Sequence, residues 1–359
     1  MRGTLLSRAA GCLRLVDTRR VYDCWRHHLS WIDAVDSACN APITPGFIKG
    51  RVLAQKQPFF SIIIPTYNRP RQLAACLQAL ARLDYPCDRF EVIVVDDGSE
   101  TLPETVVDAF CERLDVTLLT QPNAGPAAAR NTGAERAKGE FLAFTDDDCV
   151  PVSNWLQALA SRFSKAPDCA IGGRTLNALL ANPYSTTSQV LIDYLYTYYN
   201  ADPEEAQFFT SNNLALPTDR FHTMGGFDTT FPLAGGEDRD FCDRWLYNGL
   251  RMISASEVIV YHSHALTSDT FWRQHFNYGR GAFHYRQIRA QRCQGTVKVE
   301  PLSFYLNLLR YPFLQREQRK SPCQRHELMI GVLSMISQVA NAAGFFWEKL
   351  NRTRNRVSK

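Results

Sequence analysis

The sequence predicts an α/β fold built on a mostly parallel twisted sheet flanked by helices, and three observations predict it. Short apolar runs such as Phe59-Phe-Ser-Ile-Ile-Ile64 and Phe90-Glu-Val-Ile-Val-Val95 show little polar alternation, as strands buried on both faces require. A helical stripe lies between these two runs. Acidic clusters stand at the ends of several runs, where open α/β sheets bind their ligands.

Residues 1–58 precede the first run and read as an N-terminal helical extension. Leu5, Leu6, Ala9, Leu13 and Val16 recur at helical spacing among arginines, without the apolar stretch and cleavage site of a secretory signal. That segment reads either as a basic helix on an anionic membrane or as a surface helix packed on the main domain. A second helical stretch covers Val21 to Ala38, before the turn-rich piece from Asn40 to Gly46.

The first strand ends in Pro65-Thr-Tyr-Asn-Arg-Pro70. Leu73, Cys76, Leu77, Leu80 and Leu83 then form a helical stripe closed by Tyr85-Pro86, and the second strand completes a right-handed crossover. Asp96-Asp97 follows that strand. Residues 103–113 read as a helix and Val116 to Leu119 as a third strand, while Gly125-Pro-Ala-Ala-Ala-Arg-Asn-Thr-Gly133 opens a helix rich in small residues. The fourth strand, Phe141 to Thr145, runs into Asp146-Asp147-Asp148. Later signals are Gly235-Gly-Glu-Asp-Arg-Asp240 and a strand, Val258 to Tyr261, leading into His262-Ser-His264. The α/β domain is therefore set at 59–265 and a C-terminal helical region at 266–359.

Composition narrows the class. Hydrophobic residues at 45% and charged residues at 21% are globular values and exclude wholesale disorder. Forty Lys and Arg against 36 Asp and Glu leave too small a surplus to suggest nucleic acid as a partner. Eleven cysteines, odd in number and without a C-x-x-C pair, indicate neither a zinc ribbon nor a disulfide framework and suit a reducing cytosol.

Three adjacent carboxylates at a strand end repel one another, and a divalent cation relieves this well. Oxygen ligands suit Mg²⁺ or Mn²⁺, which bind through a few carboxylates together with substrate phosphates. Asp96-Asp97-Gly-Ser99 alone would be only a tight turn, but its place beside the second carboxylate cluster makes it a candidate to accept hydrogen bonds from a nucleobase or ribose.

Taken in order, Ile62-Ile-Ile-Pro-Thr-Tyr-Asn68, Val94-Val-Asp-Asp-Gly-Ser99, Ala129-Arg-Asn-Thr-Gly133, Phe144-Thr-Asp-Asp-Asp148 and Gly236-Glu-Asp-Arg-Asp240 resemble family 2 of the glycosyltransferases over about residues 59 to 285. The resemblance implies a GT-A fold, a nucleoside-diphosphate sugar donor and inversion of the anomeric centre. It implies that Pro65, Thr66 and Tyr67 line the base, that Asp97 and Asp96 bond the base or ribose, and that Arg130 helps fix the nucleotide. It makes Asp146 and Asp148 the outer residues of a D-x-D element, Asp146 near the ribose and metal and Asp148 the principal metal ligand. Asp147 becomes the variable middle residue.

In the same resemblance Glu237-Asp238 is the acidic pair whose Asp is the catalytic base. Acids after Gly235-Gly236 also suit a helix N-terminus, so the pair has two compatible readings. His262 would reach the metal or diphosphate, with His264 a weaker candidate, and Arg280 would face the diphosphate. The Q-x-x-R-W element of processive members is absent, which implies transfer of a single sugar. The expected acceptor is a glycan or a lipid-linked molecule. Other classes fit less well: a dinucleotide-dependent oxidoreductase needs a Gly-rich turn after its first strand, and Ile64-Pro-Thr-Tyr-Asn has none. A catalytically inactive nucleotide-sugar-binding or scaffold protein is the alternative from another class.

Leu328 to Trp347 contains no charged residue and is flanked by Glu327 and Glu348. Ser334, Ser337, Gln338 and Asn341 gather into one stripe at helical spacing. The expectation is a helix in the membrane interface, or in a hairpin with Leu302 to Leu314, with the basic tail Lys349 to Lys359 on anionic lipid at the cytoplasmic face. The other possibility is a soluble helix whose apolar face covers the catalytic domain.

Overall fold

Strand β1, Phe60–Thr66, is buried at every residue and forms the middle of the parallel half of the sheet. The computed structural model describes residues 57–231, 235–314 and 324–357; the expectations for residues 1–56 lie outside them. Ile62 and Ile64 enter one core with Leu73, Leu77 and Trp155, while Ile63 enters another with Phe144, Phe227 and Trp245. A strand clad on both faces needs apolar residues at successive positions, which is why alternation is missing.

Helix α1, Pro70–Leu80, returns the chain to β2, Phe90–Asp96, and the two strands pair in parallel with Thr66 opposite Asp96. Then follow α2 (Glu104–Asp108), β3 (Val116–Thr120), α3 (Pro126–Arg136) and β4 (Phe141–Thr145). β4 is also parallel to β1, with Ile63 opposite Phe144. The carboxyl ends of β1, β2 and β4 thus align at one edge of the sheet. The helix expected over 103–113 is shorter than the spacing suggested. Phe110, Cys111 and Arg113 donate to carbonyls three residues back, so the chain tightens into turns after Asp108.

The remaining strands are β5 (Cys149–Pro151), β6 (Ala170–Asn177), β7 (Asn213–Pro217) and β8 (Met252–His262), and the helices between them are α4 (Trp155–Phe163), α5 (Pro183–Tyr199), α6 (Thr218–Thr223) and α7 (Glu237–Tyr247). The eight-stranded order is β3-β2-β1-β4-β7-β6-β8-β5. Four of the seven pairings are parallel; β7 runs antiparallel to both neighbours and β5 antiparallel to β8. The sheet is therefore mixed, with its parallel part built from the crossover units.

Beyond β8 the described chain is helical: α8 (Ser268–Arg292), α9 (Leu302–Leu314) and α10 (Gln324–Val357). Glycines bring α8 and α10 into backbone contact. A Cβ on Gly279 would lie 1.9 Å from the Asn341 carbonyl oxygen, and one on Gly344 would lie 1.9 Å from that of Phe276. The main partner of α10 is thus α8, with α5 and α9 (Leu302–Leu314) as further neighbours. The polar stripe faces inward: Ser334 and Ser337 are fully buried and donate to the carbonyls of Ile330 and Ser334. Leu328, Val332, Met335, Val339, Phe346 and Leu350 point outward.

Candidate active site

The strand ends open into a cavity of about 1210 Å³ that is lined by Pro65, Thr66, Tyr67, Asp97, Arg130, Asp146 to Asp148, His262 and His264, and by Glu237 and Asp238. Tyr67 stands half-exposed at its rim. The two aspartates after β2 have different surroundings. Asp97 Oδ1 accepts from Gln121 Nε2 at 2.7 Å and Ala124 N at 2.9 Å, and its Oδ2 accepts from Gly125 N at 2.8 Å, tying the loop before α3 to the strand end. Asp96 lies outside the cavity lining, fully buried, and accepts from the amide and hydroxyl of Ser99. The carboxylate of Asp96 holds its own turn together.

Each of the three consecutive carboxylates has its own counter-group. Asp146 Oδ1 accepts from Arg130 Nη2 at 2.6 Å. Asp147, buried, accepts from Thr66 Oγ1 at 2.8 Å and from Arg69 Nη1 at 3.3 Å. Burial, opposed by Arg69, pushes its carboxyl up to about 7. Asp148 Oδ2 accepts from Arg69 Nη1 at 3.0 Å and lies 3.3 Å from His264 Nδ1. Its Oδ1 lies 3.1 Å from His262 Nε2, buried and without a hydrogen bond. Burial alone would raise the Asp148 carboxyl, but His262, His264 and Arg69 hold it well below the usual carboxylate range.

Long-range pairing makes this cluster. Cys149 opposes His262 in the β5–β8 ladder, so the register sets an imidazole beside the preceding aspartate. Asp148, Cys149 and His262 offer donor atoms within 4.8 Å of one another. Cys149 is packed in the core, and burial raises its thiol well above its ordinary value. The carboxylate and imidazole suit a divalent cation, and the orphaned Asp148 Oδ1 is where one would coordinate.

The opposite wall begins at α7. Gly235 and Gly236 have φ of 131° and 104°, a turn that only glycine makes without strain. A Cβ on Gly281 would lie 1.7 Å from the Gly235 carbonyl oxygen, so α8 supports this turn from behind. Glu237 is buried; its Oε2 accepts from Gly235 N at 2.6 Å and its Oε1 lies 4.0 Å from Arg130 Nη1. Arg130, buried above the Phe227 ring, therefore lies between Asp146 and the α7 acids, with Nε and Nη1 making no hydrogen bond. Burial and then Asp238 push the Glu237 carboxyl up to about 7, against Arg130. Burial also raises Asp238, opposed by Arg130 and by Ser211. Asp238 Oδ1 is shielded from water and unpartnered.

Arg280 is not with this group. Its Nε donates to Glu348 Oε2 at 3.0 Å and its guanidinium lies 4.4 Å from the Trp347 ring centre, because that face of α8 meets α10. The expectation that it faces the diphosphate is corrected. Arg69 was missed, although it stands in the turn directly after β1 beside an acidic cluster. Ser211 was likewise given no role, since it meets Asp238 only through folding.

A family model for glycosyl transferase family 2 matches residues 61–225, and one for the N-terminal domain of galactosyltransferase matches residues 196–265. The glycosyltransferase AglE of Haloferax volcanii is 30% identical over 230 residues, covering 62% of this chain and 73% of its own length. Validoxylamine A glucosyltransferase of Streptomyces hygroscopicus is 29% identical over 235 residues, 56% of this chain and 54% of its own. The chain thus spans about half the length of the second relative. The solved mannosyltransferase PcManGT from Pyrobaculum calidifontis, in complex with GDP-Man and Mn²⁺, shares the fold with a TM-score of 0.58 at 17% identity, over 92% of this chain and 98% of that one.

The surroundings of Glu237 generate a pH prediction. An acid held above its unfolded value, about 4.3 for Glu, binds its proton more tightly when folded, so its contribution is complete at low pH. That contribution is lost as pH rises through about 7. Glu237→Gln removes the ionisation, and the variant should lose less stability than the unaltered chain between about pH 4 and about pH 8. Denaturant unfolding across this range tests it, and parallel pH profiles would show that Glu237 ionises without penalty.

Proposed function

The chain belongs to glycosyl transferase family 2 and has the GT-A fold, and from that premise we propose that this glycosyltransferase moves one sugar from a nucleoside-diphosphate sugar to an acceptor hydroxyl with inversion. The observation that carries the proposal is the meeting, across one cavity, of the Asp148–His262 pair and the unpartnered Oδ1 of Asp238.

Asp238 takes the proton of the acceptor hydroxyl as its oxygen bonds to the anomeric carbon and the bond from that carbon to the diphosphate breaks. Burial raises the basicity of Asp238, which suits it to that proton. Glu237 sets the α7 turn that presents Asp238, and Arg130 shields the two α7 acids from Asp146. Pro65, Thr66, Tyr67 and Asp97 form the nucleoside end of the cavity. Asp148 and His262 would hold Mg²⁺ or Mn²⁺, with Asp146 as a further carboxylate, and such an ion would offset charge developing on the departing diphosphate. One carboxylate base is sufficient for a single displacement, and the lack of Q-x-x-R-W supports one transfer per acceptor.

We further propose that the chain lies on the cytoplasmic face of a membrane. Within the 26-residue stretch Glu327–Arg352, an 18-residue window has a mean hydropathy of 1.5. Its polar stripe is turned into the protein and its outward face is apolar, the reverse of a water-facing helix. Lys349 and Arg352 at its end, and Arg354, Arg356 and Lys359 after it in sequence, complement anionic headgroups. The glycine seam with α8 argues against independent insertion across the bilayer.

Asp238→Asn should lower turnover by on the order of a hundredfold while leaving nucleotide affinity nearly intact, since shape is kept and basicity lost. Sugar release and transfer assayed with a panel of UDP- and GDP-sugars check this; near-normal turnover would remove Asp238 from the role of base. In fractionated cells the full chain should sediment with membranes and leave them in carbonate. A chain that is soluble before any wash defeats the membrane proposal, and one that resists carbonate spans the bilayer instead.

A further inference from the structure

The cavity has a second end of different chemistry. Its lining also includes apolar side chains, Leu191 and Leu195 on α5, Phe304 and Leu308 on α9, and Phe345 on α10, interspersed with polar ones such as Ser188, Gln189, Gln338 and Asn341. Arg239 stands where the two ends meet. Its guanidinium carbon lies 3.5 Å from the centre of the Tyr199 ring, 5.0 Å from that of Phe208 and 5.9 Å from that of Tyr285. Tyr199, Phe208 and Tyr285 all line the cavity as well.

The other arginines lining the cavity each meet a carboxylate: Arg69 meets Asp147 and Asp148, Arg130 meets Asp146, and Arg286 meets Glu300. Among the described residues, Arg239 has no carboxylate within ion-pair distance, and its Nη1 is buried without a hydrogen bond. The neighbouring acids are already engaged. Glu300 accepts from Arg286 and from the Tyr199 hydroxyl at 2.7 Å, and Asp240 is held by Arg244 at 2.7 Å and by Arg292. Ring faces attract a guanidinium, and Arg239 also donates to the Tyr285 hydroxyl, but Nη1 is left without an acceptor, and a buried unmade donor is unfavourable. An oxyanion with two oxygens in one plane satisfies such a fork.

We propose that Arg239 is a specificity residue that receives the oxyanion, phosphate or carboxylate, of an amphiphilic acceptor whose apolar chain lies between α5, α9 and α10. This rests on the glycosyltransferase reading above and names the class of its acceptor. Phe346 lines the cavity and is also 58% exposed, so the apolar end opens onto the outward apolar face of α10. The acceptor therefore reaches the site from the lipid surface, with its charged group at Arg239 and its hydroxyl at Asp238.

Titration calorimetry on the full chain tests this with octyl phosphate, octanoate, octanol and inorganic phosphate, all below micelle-forming concentrations. One of the two octyl anions should bind about tenfold or more tighter than octanol and inorganic phosphate, and which one does so separates phosphate from carboxylate. Arg239→Gln should erase that advantage, Arg239→Lys should restore part of it, and Leu308→Asn should weaken the octyl anion but not inorganic phosphate. Unchanged affinity of the octyl anion for Arg239→Gln overturns the proposal, as does binding no tighter than that of inorganic phosphate. In the same variant, Mn²⁺-dependent affinity for UDP and GDP should persist, which also shows that it folds; its selective loss would assign Arg239 to the donor and reject the acceptor role. Failure of the glycosyltransferase reading has a separate signature, namely that the unaltered chain binds neither UDP nor GDP whatever the octyl series shows.

Discussion

Three adjacent carboxylates at the end of a buried strand create the constraint around which the site is assembled. Two of them, Asp147 and Asp148, are buried, where an uncompensated charge is strongly unfavourable. The fold answers from several directions. Arg69 comes from the turn before α1, Arg130 from α3, and His262 and His264 from the end of β8. Asp148 Oδ1 is buried without a hydrogen bond, facing an imidazole 3.1 Å away. A cation coordinated there would complete the neutralisation and offer open positions to a diphosphate.

The same constraint extends to Asp238. Arg130 satisfies Asp146 and lies close to Glu237, so the electrostatics of the strand ends and of α7 are joined through one guanidinium. Behind α7, the Gly235-Gly236 turn rests on Gly281 of α8, and α8 is fastened to α10 through Gly279 and Gly344. The C-terminal helices consequently act as a support for the acidic pair as well as a surface. Side chains larger than hydrogen at these positions would push α8 away from the turn that carries Asp238.

Much of this was legible in the sequence because it is local. The apolar runs at Phe60–Thr66, Phe90–Asp96 and Phe141–Thr145 mark buried strands, and the acids that follow them stand at the strand ends by chain continuity. What the sequence hides depends on contacts far apart in the chain. The antiparallel entry of β7 follows a long excursion through α5 and has no local signature. Arg280 looked suited to a diphosphate from its basic, glycine-flanked setting, yet the rotation of α8 turns it to Glu348. The serine stripe of α10 was visible by periodicity, but periodicity does not say which face meets the protein, and here it is the polar one. Arg239 is equally unreadable in advance, since its aromatic surroundings come from α5, α8 and the segment before β7.

The central claim is that the Asp148 cluster holds a divalent cation that carries the nucleoside diphosphate. Titration calorimetry of UDP and GDP, with and without Mn²⁺, against the unaltered chain and Asp148→Ala tests it most directly. The account predicts at least about tenfold tighter binding of one nucleotide when Mn²⁺ is present, and loss of that difference in the variant. Equal affinity with and without the metal in the unaltered chain, or a metal effect that survives in Asp148→Ala, would contradict it.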